Sequence, residues 1–415
     1  MRAPAPVPAS TRKIFLRVLF VVVFGMTASL GLVRAYAAAL GASGESFLGR
    51  VLEARAALPR IVAEEEPLVM FFGSSMTEAG FSARVFDRKL AERGVEVKSF
   101  NFGFGGLNPL FQDFLARRIR EAFEAQGREL ELTLIEFNPF QATRTRYEGA
   151  VPAIDAYLGM LASPEEIRDI LLDDPARGTR ILTIHYLRDD VSAEMATWYF
   201  GELLRPPIPE SDVEENEATE ERLEEVGEKM NAKFEEEYPD WDGAEWSYAW
   251  QGAGTIPSER SEETLALFRE YYTLRQNDEK QMRDDLLWRI HSADVLELHF
   301  EEELVQAFIR AVQELQRISK RVEIVMLPRN TAWVQYSSEA RARLDAVVRR
   351  IEEETNVPVR DFQTIEAVTP AMFGDTTHLA RYLGDVPFTE FLVAEYAPVL
   401  GGDATDEDQT LRLAP

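Results

Sequence analysis

The chain contains no cysteine. Disulfides, thiolate metal sites, a cysteine nucleophile and the acylated cysteine of a lipoprotein are all excluded. Histidine is scarce too, with 4 in 415 residues, so the search for a general base is short. Positive charge is outnumbered: 72 acidic residues against 45 basic leave a net charge of −27, which repels phosphate backbones and argues against a nucleic-acid partner. Residues 1–41 reverse that balance. They hold Arg2, Arg12, Lys13, Arg17 and Arg34 and no carboxylate.

Within this basic segment, Val18 to Val33 is uncharged and largely apolar. Counting back to Ile14, with Arg17 snorkelling, extends it to residues 14–33, about 30 Å of helix and enough to cross a bilayer once. Residues 1–41 are therefore expected to be a cytoplasmic tail and transmembrane anchor. A cleaved signal peptide is the competing reading, since Ala35-Tyr36-Ala37 offers a small-x-small site. Either way the basic flank stays inside, and the chain beyond about residue 42 is exported.

Residues 42–66 read as a polar, Ala-rich stalk ending in Glu64-Glu65-Glu66. Leu68 to Phe72 is then a continuous apolar run, as in a strand buried on both faces. Val95–Phe100, Leu130–Phe137, Val322–Leu327 and Val357–Phe362 repeat the pattern. Helical periodicity fills Ser82–Arg93, Pro109–Gln126 and Ser338–Thr355, with stops at Gly94, Gly127 and Asn356. Strands alternating with helices predict an α/β domain with a parallel sheet over residues 67–397, followed by a flexible tail at 398–415. Residues 141–320 break the alternation and read as a helical insertion. Its centre, Glu210 to Asp242, carries 15 carboxylates and three basic residues, too many like charges for a core element. Trp241, Trp246, Tyr248 and Trp250 follow it, as a sugar-stacking platform or as the hydrophobic cover of the insertion.

In parallel sheets ligands bind outside the carboxyl ends of the strands, and the chain places unusual residues there. Gly73-Ser74-Ser75-Met76-Thr77 follows the first strand and can present a serine nucleophile, although such a turn also serves as an N-cap or a phosphate cradle. Asn101 to Gly106 follows the second strand with glycines that let backbone amides approach a ligand. Glu136-Phe137-Asn138-Pro139 ends the third, and an Asn amide there can join backbone N–H groups in an oxyanion hole. Of the histidines, His185, His291 and His299 lie in or around the insertion. His378 instead follows Asp375 by three residues ahead of the last helix, a spacing that lets the carboxylate fix the imidazole tautomer, or that marks a helix cap.

Taken together and in order, these four blocks resemble the SGNH hydrolase family, the GDSL-like lipases and esterases. The family's Gly-Asp-Ser-Leu-Thr block corresponds to Gly73 to Thr77, its Asn-x-Gly-x-x-Gly block to Asn101 to Gly106, its Gly-x-Asn-Asp block to Glu136 to Pro139, and its Asp-x-x-His block to Asp375 to His378. The resemblance covers about 67–140 and 320–397. It implies a three-layer α/β/α, flavodoxin-like fold with Ser75 as nucleophile, His378 as general base and Asp375 as its orienter. The Ser75 and Gly106 N–H groups and the Asn138 side chain would form the oxyanion hole. No cofactor or metal is expected. Residues depart from the pattern in two blocks: Ser74 replaces Asp in the first, and Glu136 and Pro139 replace Gly and Asp in the third. An N-terminal span ahead of an exported domain of this kind looks like proteins that assist O-acylation of cell-envelope polymers. Those include alginate O-acetylation proteins and the D-alanyl transfer protein of lipoteichoic acid synthesis. That likeness implies an acyl ester on an extracytoplasmic polysaccharide or polymer as substrate and a membrane-bound O-acyltransferase as partner. A fold retained as a non-catalytic scaffold is the alternative.

Overall fold

The computed structural model describes residues 9–40, 47–187, 208–239, 250 and 260–401. Helices α1 (Ala9–Leu40) and α2 (Phe47–Val62) precede β1 (Leu68–Ser74), α3 (Ser75–Gly80), α4 (Ala83–Ala91), β2 (Lys98–Phe104), α5 (Pro109–Gln126) and β3 (Leu132–Glu136). Next come α6 (Arg144–Leu161), α7 (Pro164–Asp173), α8 (Pro175–Leu187), α9 (Glu217–Glu237), α10 (Glu262–Asn277) and α11 (Glu279–Ala293). The chain closes with α12 (Glu302–Gln316), β4 (Val322–Met326), α13 (Ser338–Thr355), β5 (Val359–Asp361) and α14 (Asp385–Leu400).

The fold is α/β, with five parallel strands in the order β2-β1-β3-β4-β5. β1 and β3 are buried along their whole length, as the continuous apolar runs require. Phe71 and Phe72 of β1 have no exposed surface. α5 packs with α12, and α4 with α14. The stops behave as their residue types dictate: Gly127 closes α5 at φ 61° and Asn356 closes α13 at φ 55°, left-handed positions that Gly and Asn tolerate best.

Several boundaries differ from the sequence reading. β2 runs from Lys98 to Phe104, so Asn101 and Gly103 lie inside the strand, opposite Phe71 and Gly73. Gly103 is needed there because a Cβ would fall 2.2 Å from the Glu78 backbone nitrogen. α12, read as part of the insertion, is instead a helix of the sheet domain, its face from Leu304 to Leu315 buried and seated on α5. Over 47–62 the expected stalk is α2, whose Val51, Ala54, Leu58 and Ile61 form a buried stripe at helical spacing.

Residues 1–50 with 151–205 form one compact unit, and residues 51–150 with 206–415 the other. The insertion is thus divided between them. In the first unit Asp155, buried in α6, takes Arg177 and Arg180 of α8 at 2.7 and 2.5 Å. No helix among the described residues is long and apolar enough to cross a membrane. The span expected over residues 14–33 falls on α1, where the side chains of Phe15, Met26, Leu30 and Val33 lie outside the described residues. Ile14, Val18, Phe20 and Val21 of that helix are all more than half exposed.

In the second unit the acidic centre of the insertion is the solvated helix α9, in which Val226 is buried. Trp241, Trp246 and Tyr248 lie outside the described residues, whereas Trp250 is buried against Phe102 at 5.2 Å and Phe104 at 6.2 Å. Trp250 is therefore hydrophobic cover.

Candidate active site

Ser75 is the first residue of α3, directly after β1. Ser74 caps that helix, its Oγ accepting from Met76 N at 3.2 Å. His378 and Asp375 sit on the loop before α14, some 300 residues along the chain, yet His378 Nε2 lies 2.8 Å from Ser75 Oγ. On the other side of the ring, Nδ1 is 2.7 Å from Asp375 Oδ2. An ionised carboxylate can only accept, so Nδ1 carries the hydrogen, Nε2 keeps its lone pair, and the Ser75 hydroxyl donates to it.

The loop is held rigidly. Asp375 Oδ1 accepts the backbone N–H groups of Thr377 and His378, both at 2.7 Å. Gly374 N donates to His378 O, and Asn330 Nδ2 donates to Asp375 O at 3.2 Å. Gly374 packs on Tyr272 of α10, where a Cβ would meet the ring at 2.9 Å. Arg289 of α11 reaches in behind, 3.3 Å from Asp375 Oδ1, and donates to Thr376 Oγ1 and to Asp285 Oδ2. Its 3.4 Å approach to His378 Nδ1 is not a useful hydrogen bond, since that nitrogen already donates to Asp375. Burial pushes the Asp375 carboxyl up, but His378, its hydrogen bonds and the Arg289 guanidinium outweigh burial and hold it below the usual carboxylate range.

Beneath the serine, Ser74 and Glu136 fit one another: Ser74 carries no carboxylate, and Glu136 at the end of β3 brings one against it. Glu136 Oε1 accepts from Ser74 Oγ at 2.7 Å, and Oε2 accepts from Ser74 N at 2.7 Å, Thr77 Oγ1 at 2.6 Å and Thr77 N at 3.3 Å. Gly73 makes room, since a Cβ there would lie 2.3 Å from Glu136 Oε2. Burial raises the proton affinity of this carboxyl, and the four donors oppose that rise.

Of the expected oxyanion donors, Ser75 N stands at the start of α3. The Asn138 amide is close by, but donates to Ser74 Oγ at 2.9 Å and towards Met76 Sδ at 3.5 Å. Gly106 lies two residues past β2, whose last residue, Phe104, pairs with Ser74. Its φ of 72° turns the chain there, and its carbonyl accepts from Arg146 at 3.3 Å. Asn101 is structural: its Nδ2 donates to the carbonyls of Thr77, Glu78 and Phe81, tying down the end of α3. Of the remaining histidines, His185 Nδ1 contacts Gly159 O, His299 Nδ1 contacts Asp294 and His291 is exposed.

The sequence reading brought together Ser75, His378 and Asp375. It missed the role of Glu136 as a partner of Ser74, which its paired departures could have signalled, and it missed Arg289, Asn330 and Tyr272, for which no local pattern exists. No protein-family model matches the chain, and none of the curated proteins matches it significantly.

Proposed function

We propose that this chain is a serine esterase or O-acyltransferase of the SGNH type, working through an acyl-serine on acyl esters of an extracytoplasmic polysaccharide or cell-envelope polymer. The observation that carries this reading is the unbroken relay from Ser75 Oγ through His378 to Asp375. The parallel sheet, contacted by α4 of the α4–α14 pair and by α12 of the α5–α12 pair, supports the three-layer SGNH fold.

In the reaction His378 Nε2 takes the Ser75 proton as Oγ attacks the ester carbonyl. Asp375 stabilises the imidazolium that forms and keeps its orientation. The Ser75 and Gly106 N–H groups and the Asn138 amide receive the developing oxyanion, for which Asn138 has a second N–H besides the one on Ser74 Oγ, directed only towards Met76 Sδ. His378 then protonates the departing alcohol, leaving acyl-Ser75. Water, or an acceptor hydroxyl, attacks next with His378 again as base, and either the free acid or the transferred ester leaves. The basic flank of residues 1–41 and the exposed apolar side chains of α1 support anchoring through residues 14–33, with the catalytic unit outside the cytoplasmic membrane beside a membrane-bound O-acyltransferase.

The alternative, a non-catalytic scaffold, is favoured by one observation, the engagement of the Asn138 amide with Ser74. The deciding experiment is a fluorophosphonate probe on the purified full chain. Covalent labelling of wild type, absent in Ser75→Ala, is expected. A folded wild type that resists the probe, with Ser75→Ala still supporting envelope acylation in cells, establishes the scaffold instead.

A further inference from the structure

A cavity of about 160 Å³ opens beside the relay. His378 and Asp375 line one part of it, and Ala79, one turn beyond Ser75 in α3, another. Arg275 of α10 and Arg381 complete the wall together with Tyr272. Many arginines of this acidic chain are tied into carboxylate pairs, as Arg222 is with Glu270 and Arg350 with Glu302. Among the described residues Arg275 and Arg381 have no ion pair, and Arg275 Nε is buried without a hydrogen-bond partner. The Arg381 charge is felt by the buried Asp385, but no ion pair joins them. The one carboxylate in the wall, Asp375, is already matched by Arg289 and His378. Two guanidinium groups without an ion pair thus meet at the cavity, and a bound anion would match their charge.

We propose that this cavity is a subsite for an anionic group, a carboxylate or a phosphate, carried by the polymer that bears the acyl ester. The proposal rests on Ser75 being the nucleophile, because the cavity shares His378 with it. Two guanidinium groups would hold the anion by charge-assisted hydrogen bonds and bring the neighbouring ester to Ser75. Since the chain as a whole repels anions, affinity must come from these local contacts and not from long-range attraction.

Calorimetry on the full-length Ser75→Ala chain tests this with three ligands: an oligouronate, a glycerol phosphate oligomer and a neutral glucan oligomer. At least one anionic oligomer should bind at least tenfold more tightly than the glucan, and the carboxylate and phosphate arms identify which anion is preferred. Adding Arg275→Gln and Arg381→Gln should weaken that binding about ten- to hundredfold, the cost of removing hydrogen bonds to a charged group, while leaving the glucan unaffected. Arg275→Lys should recover part of it. Fluorophosphonate labelling of the Arg variants with Ser75 restored, at an unchanged melting temperature, shows that the fold is intact. Equal binding of charged and neutral oligomers, or unchanged binding in the double Gln variant, overturns the subsite. Arg-dependent anion binding by a wild-type chain that resists the probe overturns the esterase reading and leaves the subsite standing.

Discussion

The two halves of the relay are built differently. Ser75 stands on the sheet: Ser74, Glu136 and Asn138 are all buried residues at or just beyond the ends of adjacent strands. His378 and Asp375 stand on a loop partly held by α10 and α11 of the insertion through Tyr272 and Arg289. The Ser75 half is thus fixed by buried hydrogen bonds between adjacent strand ends, and the His378 half by partly exposed contacts from two helices of the insertion. Their carboxyls differ accordingly, with Glu136 raised by burial and Asp375 depressed by its partners. Helices α10 and α11 of the insertion thereby support the loop that carries His378.

The largest effect should come from Asp375→Asn. Its Oδ1 accepts two backbone N–H groups, so the Asn carbonyl should take that position and leave the NH₂ facing His378 Nδ1. The ring is then held in the wrong tautomer, and probe labelling of Ser75 should fall about 10⁴-fold, as when a triad carboxylate is replaced. An Asn variant that labels normally would sever Asp375 from the chemistry. On the nucleophile's side, Asn138→Ala should lower ester turnover on the order of 10²- to 10³-fold through loss of an oxyanion donor. A smaller loss in turnover than in probe binding would instead limit Asn138 to supporting Ser74.

Two substitutions contrast the supports. Glu136→Ala strands four buried donors and should destabilise the fold by about 3 kcal/mol or more in urea unfolding, whereas Glu136→Gln should keep the fold. Arg289→Gln should leave unfolding within about 1 kcal/mol of wild type while slowing labelling about tenfold, because one contact orienting Asp375 is lost. Equal unfolding costs at the two positions would erase the contrast between core and loop.

The smallest effect is one of pH. Asp375, depressed in the fold, contributes stability that is complete above its ordinary value of 3.8 and is lost as pH falls below it. Glu136, raised in the fold, contributes in the opposite sense: its share is complete below 4.5 and is lost as pH rises through the folded value. Amide hydrogen exchange below pH 3.8, corrected for intrinsic rates, should therefore show residues 373–379 losing protection before the β1–α3 turn. Simultaneous loss would mean that one cooperative unit holds both.

Local chemistry by itself determined much of this protein. Apolar runs such as Leu68 to Phe72, short and bounded by Pro67 and Gly73, point to strands buried on both faces, as a parallel sheet covered by helices requires. Gly127 and Asn356 end α5 and α13 where a left-handed residue is least costly. Ser75 and the Asp375–His378 pair were legible because each is a short block whose spacing carries its chemistry. What tertiary structure decided is everything that depends on distant segments meeting. α12 read as insertion because no local signal says which helix its apolar face will cover. Glu136 read as a departure because its meaning depends on Ser74, one strand away. Arg289 had no local pattern at all: a charged residue on a helix becomes part of a site only when the fold brings a carboxylate to it.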